Sequence, residues 1–297
     1  MSYAAPILRT QTELARQMRS RLRDSASKRW SDAEVYASLN DAIEMWAGKV
    51  YVPMLYTIAN GWSPGIYEYA LPSYISQPLT PQRKLLTPYV VEDDSQQFVW
   101  TDVLGWEIDV DGAGGQVLRT LYSEGVTGTT NDARILWMAP NGRMPEDLPI
   151  LLNAAIATTT ATSLTCDPAE RPEIGINGFV KVDNEWMEYH GYTQTPTVTT
   201  LSNLVRGVAG TTAATHLDNA EIVWGVAAPE AGVFQQLIMQ ARALLFEIVQ
   251  SLGPGRETED YRFQMRYWQE QADGWWNKRG MLHAPKIRLG RRAIGAR

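Results

Sequence analysis

Between Val180 and His216 the chain reads VKVDNEWMEYHGYTQTPTVTTLSNLVRGVAGTTAATH, and two of its three histidines lie there with Asp183, Glu185 and Glu188. Carboxylates and imidazoles bind zinc, and on a strand residues 188 and 190 point to the same side. A metal centre built from Glu185, Glu188, His190 and His216 is the first chemistry these residues suggest. The spacings do not support it: H-x-x-x-H, H-E-x-x-H and paired cysteines are all missing, and Cys166 is the single cysteine. The same stretch holds Gly207-Val208-Ala209-Gly210-Thr211-Thr212. A phosphate-binding P-loop needs a lysine and a following helix; here the lysine is absent and strand-like sequence follows. Such a loop reads better as a turn system whose threonine hydroxyls satisfy backbone groups. There is no G-x-S-x-G, and Cys166 sits in a threonine-rich run without an adjacent base. The expectation is no catalytic residue, no metal and no cofactor, hence not an enzyme.

The elements that position this stretch come from the period of the apolar residues. Over 11–24, Leu14, Met18 and Leu22 recur at helical spacing among Arg16, Arg19, Arg21 and Arg23. A second helix starts at Ser31, which forms a capping box with Glu34, while Trp30 and Val35 occupy the positions of a hydrophobic staple. Gly48 marks its expected end. From about 65 to 140 the period becomes two, in short β-branched and aromatic runs separated by Gly-, Asp- and Pro-rich turns. A second β-module follows over 151–226, with a hairpin turning at Asp183-Asn184. Helix returns near 230 with an apolar stripe through Val233, Phe234, Leu237, Ile238, Ala241 and Leu245, stops at Gly253-Pro254-Gly255, and resumes to about 280.

These elements predict an α+β fold. Its helical body would be made by the N- and C-terminal helix pairs, with antiparallel sheet or barrel insertions between them. The expected parts are 1–64, an N-terminal helix pair; 65–150, an antiparallel β region; 151–226, an inserted β-module; 227–280, the C-terminal helices; and 281–297, an extended basic arm.

Composition narrows the partners. Of 297 residues 44% are hydrophobic and 20% charged, and no run of 18 apolar residues suggests a membrane partner. The N-terminus lacks the apolar core of a signal peptide, and the lone cysteine gives no reason to expect an oxidising compartment. From Lys278 to Arg297 there are seven basic residues and no acid, so the net charge of −6 becomes −13 on the rest of the chain. An acidic body with a basic tail suggests an interaction arm and not a sequence-reading DNA binder. In the arm Lys286, Arg288, Arg291, Arg292 and Arg297 intersperse with Ile287, Leu289 and Ile294, a pattern suited to ordering on an acidic groove. Eleven Trp and thirteen Tyr against five Phe suit partly buried surfaces such as subunit interfaces.

The run LARQMRSRLRDSASKRWSDAEVYASLNDAIEMWAGKV resembles the N-terminal helix pair of bacteriophage head–tail adaptor (connector, or neck) proteins. The shared features are an Arg-rich helix, a loop, and W-S-D-A-E followed by LN-D-A. The opening stretch is similar to a β-module found in many phage virion proteins. Here it is carried by Val180, Val182, Glu185, Tyr189, Leu204, Arg206, Gly207, Gly210, Thr211, Thr212, His216, Ala220 and Val223. The resemblance implies a structural virion protein located in the neck and assembled in the host cytoplasm. It would form a homo-oligomeric ring, twelvefold in the family, between the portal and the next tail or neck protein. Genomic double-stranded DNA would pass its channel without specific contacts. The arm would then bind the portal, and Glu185, Arg206, Gly207, Gly210, Thr211, Thr212 and His216 would form a structural loop braced by Arg206. The alternative is a tail or baseplate protein whose β-module binds host-surface glycan through Trp186, Tyr189 and Tyr192.

Overall fold

A computed structural model describes residues 6–24, 29–46, 50, 52–58, 62, 65–72, 74–75, 78–86, 98–103, 105–120, 133–139, 141–146, 149–167, 174–250 and 256–279. The chain opens with β1 (Ile7–Thr10), α1 (Gln11–Leu22) and α2 (Asp32–Trp46). Seven strands follow: β2 (Val52–Thr57), β3 (Glu68–Ala70), β4 (Pro78–Leu86), β5 (Phe98–Asp102), β6 (Trp106–Val110), β7 (Gln116–Thr120) and β8 (Ala133–Ala139). Next come β9 (Ile150–Leu151), β10 (Ser163–Cys166), β11 (Asn177–Val182), β12 (Glu185–His190), β13 (Tyr192–Gln194), β14 (Thr199–Ser202) and β15 (Glu221–Ala228). The helices α3 (Ala231–Gln250) and α4 (Arg256–Arg279) complete the order. Two compact units result: Pro53–Ala139, and a larger one combining Ala5–Val52 with Pro140–Ala284.

The smaller unit holds two antiparallel sheets, β2-β8-β4-β5 and β3-β7-β6. In β3-β7-β6, Tyr69 and Leu118 pair across the ladder and are both buried. Tyr69 meets the buried Trp62 edge-on, with ring centroids 4.8 Å apart. The β6–β7 turn closes because Asp111 Oδ1 accepts from the Ala113 and Gly115 amides at 2.9 and 2.7 Å.

In the larger unit the main sheet runs β1-β15-β11-β12, and β9 also pairs with β15. One face of it, with Val180, Val182, Met187, Tyr189, Ile222, Trp224 and Val226, joins the apolar stripes of α1, α2 and α3 in a single core. The small sheet β10-β14-β13 contributes Leu164, Cys166 and Leu201 to that core. Side-chain amides hold the stretch 141–146, which is outside every ladder. Asn40 gives to Met144 O and takes from Met144 N at 2.8 and 2.9 Å, and Gln11 gives to Pro145 O at 3.2 Å. Asn141 in turn grips the Ala227 N–H and C=O, both at 2.8 Å. Each pairing satisfies backbone groups that burial would otherwise leave without partners.

The expected fold class is corrected by this architecture. The described residues form four helices and several small, separate antiparallel sheets, and not a helical body of N- and C-terminal helix pairs. The N-terminal segment enters the sheet itself, since β1 pairs with β15 from Ile7↔Ala228 to Thr10↔Gly225. The sheet is therefore a wall of the core and not an appendage to a bundle. Helical periodicity shows which face of a helix is apolar but is silent on whether a helix or a sheet will cover it. Thr10 ends β1 and also caps α1. Its hydroxyl accepts from Glu13 N at 3.2 Å while Glu13 returns a carboxylate oxygen to Thr10 N at 3.0 Å. Among the described residues no helix is long and apolar enough to cross a membrane.

Candidate functional site

The Asp183-Asn184 turn places Glu185 at the first position of β12, opposite Val182. Asp183 takes a positive φ of 51°, a left-handed conformation that Asp tolerates better than most residues. Glu185 is 1% exposed, and four groups converge on its carboxylate through five contacts. Arg206 donates in bidentate fashion, Nε to Oε1 and Nη2 to Oε2, both at 2.7 Å. The Gly207 amide donates to Oε1 at 3.0 Å and the Ala214 amide to Oε2 at 2.9 Å. His216 Nε2 lies 2.8 Å from Oε2, and its Nδ1 lies 2.8 Å from Asp183 Oδ2. Arg206 also donates to Thr158 O and Ala214 O at 3.1 and 2.6 Å.

Burial alone would push the Glu185 carboxyl up. The Arg206 guanidinium, the Ala214 amide and His216 outweigh burial and hold it at about 2. The loop that delivers these donors winds through left-handed backbone at Gly207, Ala209 and Gly210, with φ of 66°, 54° and 82°. A side chain at Gly207 would press within 3.0 Å of Ala213 N and Thr211 O, whereas Gly210 faces open space and is needed only for its φ. Thr211 Oγ1 accepts from Trp186 N at 3.0 Å and donates to Val208 O at 2.8 Å, fastening the loop to β12.

Of the loop residues singled out in the sequence, Glu185, Arg206, Gly207, Thr211 and His216 meet in this cluster. Gly210 shapes the turn, and Thr212 is exposed and outside the cluster. Asp183 belongs to the cluster although the sequence reading gave it only a turn. Its position two residues before Glu185, on the same side of the hairpin, was the available signal. The helix cap forms as expected, with Ser31 N to Glu34 Oε2 at 2.8 Å and Glu34 N to Ser31 Oγ at 3.2 Å. Trp30 and Val35 are both buried beside it.

The four metal candidates separate into two pairs. Glu185 and His216 meet on one face of β12, while Glu188 and His190, at the alternate positions, meet at 2.9 Å on the other. Among the described residues no three His, Cys, Asp or Glu side chains are placed to hold a metal ion. Asp183 beside His216 has the geometry of a histidine held by an acid for general-base work. Its second nitrogen faces Glu185 and not a nucleophile, however, so neither ring nitrogen is free for a substrate. Of the aromatic residues a glycan platform would need, Trp186 is 9% and Tyr189 0% exposed, and Tyr192 is half-buried. The arm residues Lys286, Ile287, Arg288, Leu289, Arg291, Arg292, Ile294 and Arg297 lie outside the described residues. Comparison with family models, curated proteins and solved structures finds no match for this chain.

Proposed function

We propose that this chain is a non-enzymatic structural protein of a tailed-phage virion, a ring-forming adaptor between the portal and the tail. The observation that carries the reading is the Glu185 cluster. The side chains of Glu185, Arg206 and His216 face inward on one another and tie the 206–216 loop to the hairpin, with Asp183 at the exposed edge. This is the chemistry of a brace, and it falls on the residues that resemble the phage virion module. The charge distribution fits the same role. A body at −13 does not attract phosphates, so duplex DNA passes a ring of such bodies without adhering. The basic arm is suited to meeting acidic side chains of the portal. The burial of Trp186 and Tyr189 speaks against the glycan-binding alternative.

Electron microscopy of the purified full chain, alone and mixed with its cognate portal, tests this. Expected is a closed ring with a central channel that stacks coaxially on the portal. A protein that stays monomeric under both conditions refutes the adaptor reading.

A further inference from the structure

The smaller unit has an open sheet edge. Among the described residues β6 pairs with β7 alone and is the last strand of β3-β7-β6. Asp111 N donates to Gly115 O at 2.8 Å, and in an antiparallel ladder such exchanges recur at every second residue. Glu107 and Asp109 therefore turn their backbone groups to β7, while Trp106, Ile108 and Val110 turn theirs outward. The Val110 N–H is taken by Asp109 Oδ1 at 2.8 Å. The outward groups of Trp106 and Ile108 have no partner among the described residues, and Val110 beside them is 60% exposed. An edge of this kind is a template for one more strand.

The two faces beside that edge differ in chemistry, because side chains alternate along a strand. Trp106, Ile108 and Val110 lie on the face of Tyr69 and Leu118. Glu107 and Asp109 lie on the other face with Glu68, where Arg119 bonds Glu68 at 2.7 Å and also bonds Asp109. Three carboxylates thus share one guanidinium, an excess of two negative charges. The sequence holds a complement to this edge. In Pro285-Lys286-Ile287-Arg288-Leu289-Gly290 bases alternate with apolar residues, between an opening proline and a closing glycine.

We propose that this segment of the arm adds to β6 of its own chain as an antiparallel strand, with Ile287 opposite Ile108 and Leu289 opposite Trp106. In that register Lys286 faces Asp109 and Arg288 faces Glu107, which supplies the two missing positive charges, while Ile287 and Leu289 extend the apolar face. Pro285, which has no N–H, falls opposite Val110, whose own N–H is already used. Gly290 falls opposite Gly105, where a φ of 69° turns the chain out of the strand. A shift of one residue would set the bases on the apolar face. The chain's own arm is the occupant because a tethered segment meets the edge at about millimolar effective concentration, whereas so short a strand is too little to hold a separate protein. This docking goes beyond the adaptor reading and does not need it: a portal that takes the arm does so in competition with β6.

Hydrogen exchange at single amides of the full-length protein tests this, because the Ile108 N–H is protected only when a strand lies outside it. The comparison variant is I287P/L289P, which keeps the charge of the arm and removes the two N–H groups that would pair with β6. The Ile108 amide should exchange about tenfold or more slowly in the wild type than in I287P/L289P, and the Asp109 amide, which faces β7, should be alike in both. R288E and E107R should each speed exchange at Ile108, and E107R/R288E should slow it again by restoring opposite charges. Wild-type exchange as fast as in I287P/L289P, or a double reversal no slower than the single ones, overturns the docking. Protection that fades on dilution overturns it too, since the strand would then come from a second copy. None of these outcomes requires a ring or a portal, so a failure here leaves the adaptor reading to its own test by microscopy.

Discussion

Substituting Glu185 by glutamine keeps the side-chain shape and removes the charge on which the loop is organised. The new amide NH2 would face donors, and Arg206, whose side chain is 6% exposed, would stay buried without its acid. Breaking a buried pair from one side costs about 3–5 kcal/mol. A second route gives a similar size: a carboxyl held at about 2 instead of its ordinary 4.5 contributes about 3 kcal/mol to the folded state at neutral pH. The sign follows from that lowering. The contribution is complete above the unfolded value of 4.5 and disappears as pH falls toward 2. By calorimetry, at about 2–4 °C per kcal/mol for a unit of this size, E185Q should melt roughly 6–20 °C below the wild type at pH 7. The gap should close as the pH is lowered through that window. E185Q/R206M, which removes both charges, should recover much of the loss. An E185Q protein melting within about 2 °C of the wild type at pH 7, or a gap as wide at pH 2.5 as at pH 7, would show that the cluster is not a brace.

Two further substitutions probe how the larger unit is held. Ser31→Ala should lower stability by about 1 kcal/mol through loss of the capping bond to Glu34 N, read as a lower urea midpoint at unchanged slope. An unchanged midpoint would mean that the cap contributes nothing. Asn40→Leu removes both partners of the Met144 N–H and C=O, at about 1–3 kcal/mol for each buried group left unpaired. Wild-type stability in that variant would show that 141–146 is fixed by something other than side-chain amides.

Local chemistry was legible in the sequence wherever it depended on spacing of a few residues. The Ser31–Glu34 box, the Asp183-Asn184 hairpin and the start and finish of α4 all follow from neighbours along the chain. What was not legible is what each apolar face meets. The strand Ile7–Thr10 is four residues long and forms only because Gly225–Ala228, more than two hundred positions later, offers an open edge. Thr10 and Glu13 did carry a capping signature, and that box could have marked both the end of a strand and the start of a helix. The core is shared between sheet and helices because the stripe on α3 meets α2, α4 and β15, a division that periodicity cannot apportion.

The metal hypothesis failed for a reason that lies in the pleat. Glu185 and Glu188 are three residues apart on one strand, so they emerge on opposite faces, and each finds its own histidine. The two pairs differ in what else surrounds them. Glu185 collects a guanidinium and two backbone amides, so its charge is stabilised although it is buried. Glu188 has the 2.9 Å approach of His190, and burial dominates, raising its carboxyl above the ordinary range. Its linkage therefore runs opposite to that of Glu185: the buried charge costs stability at neutral pH, and acid relieves the cost. A raised carboxyl beside a histidine is also what an acid catalyst needs, but catalysis needs access as well. Glu188 is 3% and His190 4% exposed. Burial without access makes the second pair, like the first, a feature of how the hairpin is held.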